Sequence, residues 1–182
     1  MRLSHKRLDV RQPSHDSLDR ARRPRRGVGL RTDGGRPGSD AADDRPPSAA
    51  SHARAVANAL AEYDRLVEVA IGHRTDVART LATRGVEVTA VDRRAVETPD
   101  CVGFVRDDVT DPDRSVYRTA DALYALNLPP ELHVPVAELA RGVGADLVFT
   151  TLGGDPTTVS TRPETVYGGT LHWLRRREND DP

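Results

Sequence analysis

The chain has few of the residues that staple small proteins or span membranes. Its 182 residues include one cysteine, one methionine and seven aromatic side chains. A single cysteine, Cys101, excludes an internal disulfide and a cysteine-based metal cluster, and the histidines lack metal-ligand spacing, so no metal site is predicted. No apolar run approaches the ~20 residues that cross a bilayer, and the N-terminus lacks the apolar core of a secretory signal. These absences predict a soluble, cytoplasmic protein that does not contact a membrane.

Lysine is also nearly absent, and charge is unevenly distributed. Lys6 is the only lysine, Asp outnumbers Glu 20 to 8, and the formal net charge is −1. Residues 1–50 carry 12 Lys and Arg against 7 Asp and Glu, whereas residues 51–182 carry 15 against 21. A basic arm therefore precedes an acidic, Asp-rich body. This composition favours a halophilic archaeal source, although GC-rich coding produces the same bias.

Residues 1–52 are rich in Arg, Asp, Pro, Gly and Ser. With so little to bury, this segment cannot offset its ordering entropy and is predicted to be a disordered extension. The Arg20–Arg26 cluster either contacts nucleic acid through phosphate groups or belongs to an inert tail. A further hypothesis is an over-called start codon, with translation beginning near residues 53–57, which the intact mass of the native protein tests. Residues 53–177 form the predicted domain, and 178–182 an acidic tail.

The stretch from Leu66 to Gly85 organises the predicted domain. It opens with a short apolar run typical of a buried parallel strand. A turn containing Gly72 follows, and from Thr75 the apolar residues recur at helical spacing up to Gly85. Strand, tight turn and helix in this order form the front half of a βαβ nucleotide-binding unit.

Strand and helix patterns alternate through the rest of the body. A helix is predicted at 53–63, and strands at 86–91, 101–105, 120–126 and 145–152. Residues 165–176 predict a hairpin that turns at Gly168-Gly169. Cys101 falls in one of the apolar strand patterns and is expected in the core. The predicted fold class is α/β: a Rossmann-like, doubly wound, mostly parallel sheet with an antiparallel C-terminal edge hairpin.

In such a sheet, ligands bind beyond the carboxyl ends of the strands. Asp92 closes the second strand about twenty residues after Gly72, where an acid accepts the hydroxyl groups of a ribose. Glu68 lies inside the first strand, where a carboxylate needs a partner: it holds the glycine turn, faces a ligand amine, or forms a structural ion pair. Gly72 alone is a weak signal, because Ala70 stands where a second glycine is expected.

Further candidates follow the other strands. Asp107 and Asp108 either accept from an adenine amino group or form acidic loop surface. Asn127, before Leu128-Pro129-Pro130, either orients an acceptor amine or satisfies backbone groups at a helix start. His73 is a candidate for cofactor contact or for a general base, with no positioned partner visible in the sequence.

Together these residues resemble the S-adenosylmethionine-dependent methyltransferase superfamily. The resemblance implies a glycine turn led by an acid at Glu68, Ala70 and Gly72, a ribose-binding acid at Asp92 and an adenine-binding acid at Asp107 or Asp108. NLPPEL approximates the Asn-Pro-Pro-Tyr motif of amino-group methylases, which assigns Asn127 to the acceptor. The body also resembles a small archaeal family of uncharacterised Rossmann-like proteins, through VEVAIGHRTDVA, VTAVD, DDVTDP and the PPEL element.

Three hypotheses follow. The first is a small methyltransferase-like enzyme that binds S-adenosylmethionine and has an unknown acceptor. The second is a non-catalytic nucleotide-binding or regulatory module that keeps the fold without the chemistry, which the missing glycines favour. The third is an NAD-type binder, which the same missing glycines weaken. Nucleic acid is an expected partner only through the basic arm, and the sequence does not determine the oligomeric state.

Overall fold

A computed structural model describes residues 48–176 of the chain. The predictions for residues 1–47 and 178–182 lie outside this part. The first helix begins at Ala49, four residues earlier than predicted, because the Ser48 hydroxyl caps it by accepting a hydrogen bond from the Ser51 N–H (3.1 Å). Residues 49–52 are therefore helical.

Three helices and seven strands follow one another in the alternating order that the sequence predicts. They are α1 (Ala49–Leu60), β1 (Arg65–Val69), α2 (Asp76–Ala82), β2 (Glu87–Asp92), β3 (Gly103–Arg106), β4 (Ala122–Leu128), α3 (Pro130–Val143), β5 (Asp146–Thr151), β6 (Arg162–Val166) and β7 (Gly169–Leu174). A short 3₁₀ turn, Arg114–Val116, lies between β3 and β4.

The strands form one sheet in the order β3-β2-β1-β4-β5-β7-β6. Neighbours from β3 to β5 pair in parallel, whereas β7 is antiparallel to both β5 and β6. The predicted fold class, including the antiparallel C-terminal hairpin, is confirmed. The chain winds outward from β1 to β3 and then returns to place β4 on the other side of β1. The boundary between β1 and β4 is therefore the switch point of the sheet.

Both faces of the sheet are covered, which explains the continuous apolar run of β1. Leu66 packs with α1 and α2 on one face, while Val67 and Val69 pack with α3 on the other. A strand that is buried on both sides loses the alternating pattern of a half-exposed strand. α3 begins at Pro130 and ends at Val143, and Gly144, whose φ is 75°, caps it in the left-handed conformation.

Cys101 corrects one expectation. It precedes β3 and is exposed, because the strand begins only at Gly103. Among residues 48–176 no helix is long and apolar enough to cross a membrane.

The amino ends of the strands carry a polar network that attaches the end of β7 to the first helix. The Asp146 carboxylate accepts hydrogen bonds from the Tyr63 hydroxyl (2.7 Å), the Arg175 guanidinium (2.9 Å) and the Arg176 N–H (2.7 Å). Arg175 also pairs with Glu62 and lies over the Trp173 ring, 4.3 Å from its centroid. A cavity of about 700 Å³ adjoins this network, lined by Glu62, Tyr63, Asp64, Asp121, Asp146, Arg175 and Arg176.

We expect Asp146→Asn to destabilise the fold by about 2 kcal/mol, because it weakens charge-assisted hydrogen bonds to a nearly buried group. Burial raises the Asp146 pKa, but the bonds from Arg176, Tyr63 and Arg175 outweigh it and lower the net pKa. A lowered carboxyl pKa stabilises above the unfolded value and loses that contribution as pH falls through the folded pKa. The free energies of unfolding of the native protein and the variant, measured in urea, should therefore become equal as the pH falls. Asp64→Asn, in the same cavity, should leave stability unchanged; equal losses would contradict the assignment.

Candidate functional site

Left-handed backbone turns lie on both sides of the switch point. Ala70 (φ 55°) directly follows β1, and Gly72 (φ 56°) comes two residues later. Asn127 (φ 54°) lies near the end of β4, where the pairing of β4 with β5 shifts register between Ala125 and Leu128. Ala70 and Asn127 are the two non-glycine residues with positive φ in the described part of the chain. Such backbone costs about 1–2 kcal/mol per residue and concentrates at functional sites.

Two predicted site residues are in direct contact. The Gly72 N–H donates to Asp92 Oδ2 (3.1 Å), and the Arg94 N–H donates to Asp92 Oδ1 (2.9 Å). The half-buried carboxylate therefore joins the turn after β1 to the turn after β2. Each oxygen keeps a lone pair for a further donor, so the same carboxylate is able to accept ligand hydroxyls.

Glu68 lies beneath this turn and is 1% exposed. Its Oε2 accepts a hydrogen bond from the Tyr124 hydroxyl of the neighbouring strand (2.7 Å). Burial raises the pKa of Glu68 to about 8, although the Tyr124 bond and the charge of Arg74 act in the opposite direction. The side chain is therefore a neutral acid at neutral pH unless a cation approaches it. Within residues 48–176 the Glu68 carboxyl accepts its hydrogen bond from a tyrosine, and the charge of Arg74 also acts on it.

The carboxylates that follow β3 accept hydrogen bonds from residues of their own loop. Asp107 is buried, and its Oδ2 accepts from the Asp113 N–H (3.1 Å) and the Tyr117 hydroxyl (3.0 Å). The Asp107 N–H also donates to the Asp92 carbonyl (3.1 Å), which connects this loop to the end of β2. Asp108 accepts from the N–H and the hydroxyl of Thr110. These bonds shape the loop beside Asp92 and account for much of the acceptor capacity of Asp107.

Asn127 and His73 have a different character. The Asn127 N–H donates to the Thr150 hydroxyl (2.7 Å), and its half-buried side-chain amide makes no hydrogen bond to the described residues. This backbone bond, and not the side chain, holds the turn. His73 is exposed in the turn after β1 and likewise has no side-chain partner within residues 48–176. Its ring is therefore not oriented as a general base requires.

Three supporting residues were not identifiable as such from the sequence. Tyr124 and Thr150 act from strands that only the sheet brings beside β1 and β4. His133 is fully buried and accepts from the Thr158 N–H (3.2 Å), with its other nitrogen 3.1 Å from the Leu128 carbonyl. It thereby holds the loop after β5 against the start of α3. Within the described residues no cluster of three or more His, Cys, Asp or Glu is arranged to hold a metal ion.

The sheet order, the antiparallel last strand and the turns at the switch point define a Rossmann-like α/β fold. The chain belongs to an archaeal family whose model, described as "Uncharacterised protein family (UPF0146)", matches residues 51–177. A member from Halobacterium salinarum is 54% identical over 121 residues, which cover 66% of this chain and 94% of that protein. A member from Archaeoglobus fulgidus is 41% identical over 128 residues, with 69% and 96% covered. The predicted resemblance to a small archaeal family of uncharacterised proteins is confirmed.

Solved structures similar to this chain include the antibiotic-resistance methyltransferase Kmr, at 15% identity, a TM-score of 0.44 and coverage of 63% of this chain and 87% of that one. Another is a Burkholderia thailandensis 1,6-didemethyltoxoflavin-N1-methyltransferase with bound 1,6-didemethyltoxoflavin and S-adenosylhomocysteine. It has 19% sequence identity and a TM-score of 0.41, and the match covers 71% of this chain and 62% of that one. TM-scores below 0.5 do not support a transfer of activity.

We expect Glu68→Gln to flatten the pH dependence of stability. A carboxyl whose folded pKa lies above its unfolded value destabilises the fold increasingly as pH rises from about 4.5 to about 8. The slope that Glu68 contributes is at most about 1.4 kcal/mol per pH unit. The glutamine carbonyl still accepts from Tyr124, so packing is retained. Urea unfolding at about pH 5, 6.5 and 8 measures the free energy of unfolding of both proteins. Parallel pH profiles for the two proteins would contradict the expectation.

Ala70→Gly is expected to stabilise the fold by up to about 1 kcal/mol, since glycine removes the left-handed strain and loses only part of the gain to backbone entropy. Ala78→Gly, in the middle of α2, is the matched control and should destabilise by about 1 kcal/mol. Chemical unfolding of the two variants beside the native chain measures both. Destabilisation by Ala70→Gly would show that the turn is not strained.

Proposed function

We propose that the chain binds S-adenosylmethionine at the carboxyl ends of β1, β2 and β4 and acts as a small methyltransferase. The observation that carries the proposal is the contact of the Gly72 N–H with the Asp92 carboxylate, above the buried Glu68. An acid beneath a left-handed turn and an acid at the end of the next strand are the two elements that the superfamily resemblance assigns to this cofactor. The contact supports their action as one unit.

The residues present fit such a cofactor in three respects. Ala70 is exposed, and a Cβ built at Gly72 meets only the Ala70 carbonyl, at 4.0 Å, so the space above the turn is open. Asp92 retains acceptor capacity on both oxygens for ribose hydroxyls. Glu68, held neutral by burial, would ionise beside the ammonium group of a methionine moiety, because a nearby cation favours the charged carboxylate.

Each residue then has a specific task. Gly72 and Asp92 would fix the adenosine, Glu68 the amino-acid end, and Asp108 and His73 would border the base and the turn. The bound cofactor would supply an electrophilic methyl group on sulfur. The amide of Asn127 would orient the acceptor for in-line attack, so that catalysis rests mainly on positioning.

The non-catalytic module remains the second candidate, and specific observations favour it. Both Asp92 oxygens and Asp107 Oδ2 already accept hydrogen bonds from the protein, and His73 lacks an orienting partner among the described residues. A fold that has lost its chemistry is expected to satisfy its own strand-end acids in this way. Such a module would bind a nucleotide or no ligand, without transferring a methyl group.

Thermal unfolding of the full-length chain with S-adenosylmethionine, S-adenosylhomocysteine or NAD separates these functions. Either methionine-derived ligand at ~100 times its dissociation constant should add roughly 2.7 kcal/mol, a shift of a few degrees in Tm. Asp92→Asn should abolish most of this shift, because it removes charge but keeps an oxygen acceptor for Gly72. Asp100→Asn, an exposed residue before β3, is the matched control and should retain it.

A shift with NAD alone would replace the proposal with a dinucleotide site. No shift with any of the three at millimolar concentration would contradict cofactor binding and favour the non-catalytic module.

A further inference from the structure

The carboxyl edge of the sheet carries a row of cations on a body that is acidic overall. We name the arginine rim: Arg74 after β1, Arg93 and Arg94 after β2, and Arg106 at the end of β3. All four side chains are exposed. Arg65 and Arg175 form ion pairs within residues 48–176, whereas the one hydrogen bond that a rim side chain makes there runs from Arg106 Nε to the Arg93 carbonyl (3.0 Å).

Arg93, Arg94 and Arg106 lie at or within two residues of the ends of the paired strands β2 and β3, and Arg74 lies in the turn that follows β1. Val69 is paired with Val91, and Asp92 with Arg106, so the three strands end side by side. Neighbouring strands are about 4.8 Å apart, which places the ends of β1 and β3 about 10 Å from each other. Among the acids of this edge, Asp92 accepts from the backbone N–H groups of Gly72 and Arg94, whereas Asp107 and Asp108 also accept from hydroxyl groups. Their charge therefore offsets the rim only in part.

The chemistry of the rim fits phosphate. Guanidinium groups bind phosphate oxygens through two parallel hydrogen bonds, and arginine is preferred over lysine for this geometry. Four arginines at the ends of three neighbouring strands exceed what one phosphate engages, so a ligand with successive phosphates is favoured. Residues 51–182 carry more acidic than basic side chains, so the row of arginines does not serve a long-range attraction of the whole body for phosphate.

Two further features of the same edge favour nucleic acid over a small phosphorylated molecule. The turn between β6 and β7 presents Tyr167, 53% exposed, on this edge, and an exposed aromatic ring is a stacking platform for a base. The His52 ring contacts the Tyr167 carbonyl (3.1 Å), which fixes the start of α1 at the same edge. Residues 1–47, with 12 Lys and Arg against 7 Asp and Glu, precede this helix in the sequence.

We propose that the arginine rim binds the phosphate backbone of single-stranded nucleic acid and that a base of this strand is the methyl acceptor. The second half rests on the proposed function, and the first does not. In the transfer, a base nitrogen would form the new N–C bond as the S–C bond breaks, sulfur would keep the electron pair, and the nitrogen would lose its proton to solvent. A single strand is required because a paired, stacked base does not reach a strand-end cleft.

The test measures binding of the full-length chain to a fluorescent single-stranded RNA of about 12 nucleotides by anisotropy. No cofactor is present, so failure of cofactor binding does not affect the result. Arg93→Gln with Arg94→Gln should weaken binding about tenfold at about 0.1 M KCl and reduce the slope of log K against log salt by about 1.4. Arg118→Gln with Arg141→Gln, two exposed residues at the amino edge, is the matched control and should bind as the native chain does.

Several outcomes would overturn the inference. These are no RNA binding by the native chain, equal losses in the rim and control variants, or no loss in the rim variant, which would assign binding to residues 1–47 alone. Binding of a mononucleotide as tightly as the RNA would assign the rim to a small phosphorylated ligand. Equally tight binding of duplex RNA would remove the single-strand specification.

Discussion

The sheet depends on a sharp reversal of the backbone at the ends of its two central strands. β1 and β4 are neighbours, yet the chain leaves them toward opposite faces of the sheet, and each exit passes through a left-handed residue, Ala70 or Asn127. Neither residue is glycine, so each exit carries strain that the surrounding hydrogen bonds must hold. The Gly72–Asp92 and Asn127–Thr150 bonds provide that support. The two turns therefore lie on either side of the switch point.

The two edges of the sheet have different electrostatic designs. At the amino edge, Asp146, Arg175 and Glu62 pair with one another and attach the last strand to the first helix, so their charges are used within the protein. At the carboxyl edge, acids bond inward to backbone while arginines extend outward. Paired charges stabilise the fold, whereas charges that are directed to solvent are available to a ligand. The cavity at the amino edge is thus lined in part by charges that are already paired within the protein.

Glu68 lies in the core, in the strand that leads into the turn at Ala70. It is a buried acid whose one hydrogen bond comes from Tyr124, and its burial lowers stability at neutral pH relative to a neutral side chain. A stabilising core would not select an ionisable group at such a position. A ligand cation above the turn would convert this cost into binding energy, because the carboxylate would then be paired.

The sequence by itself determined the order of strands and helices, since buried parallel strands and amphipathic helices have distinct periods, and it located the glycine turn, Asp92 and the final hairpin. It misplaced the start of α1 and the burial of Cys101, because capping by Ser48 and the late start of β3 depend on local geometry. Only the tertiary structure decided the partners. Tyr124 reaches Glu68 across 56 residues, Asp92 closes the turn at Gly72, and strand order places the ends of β1 and β3 on either side of β2. Sheet pairing is non-local, so neither spacing nor composition encodes which strand ends meet.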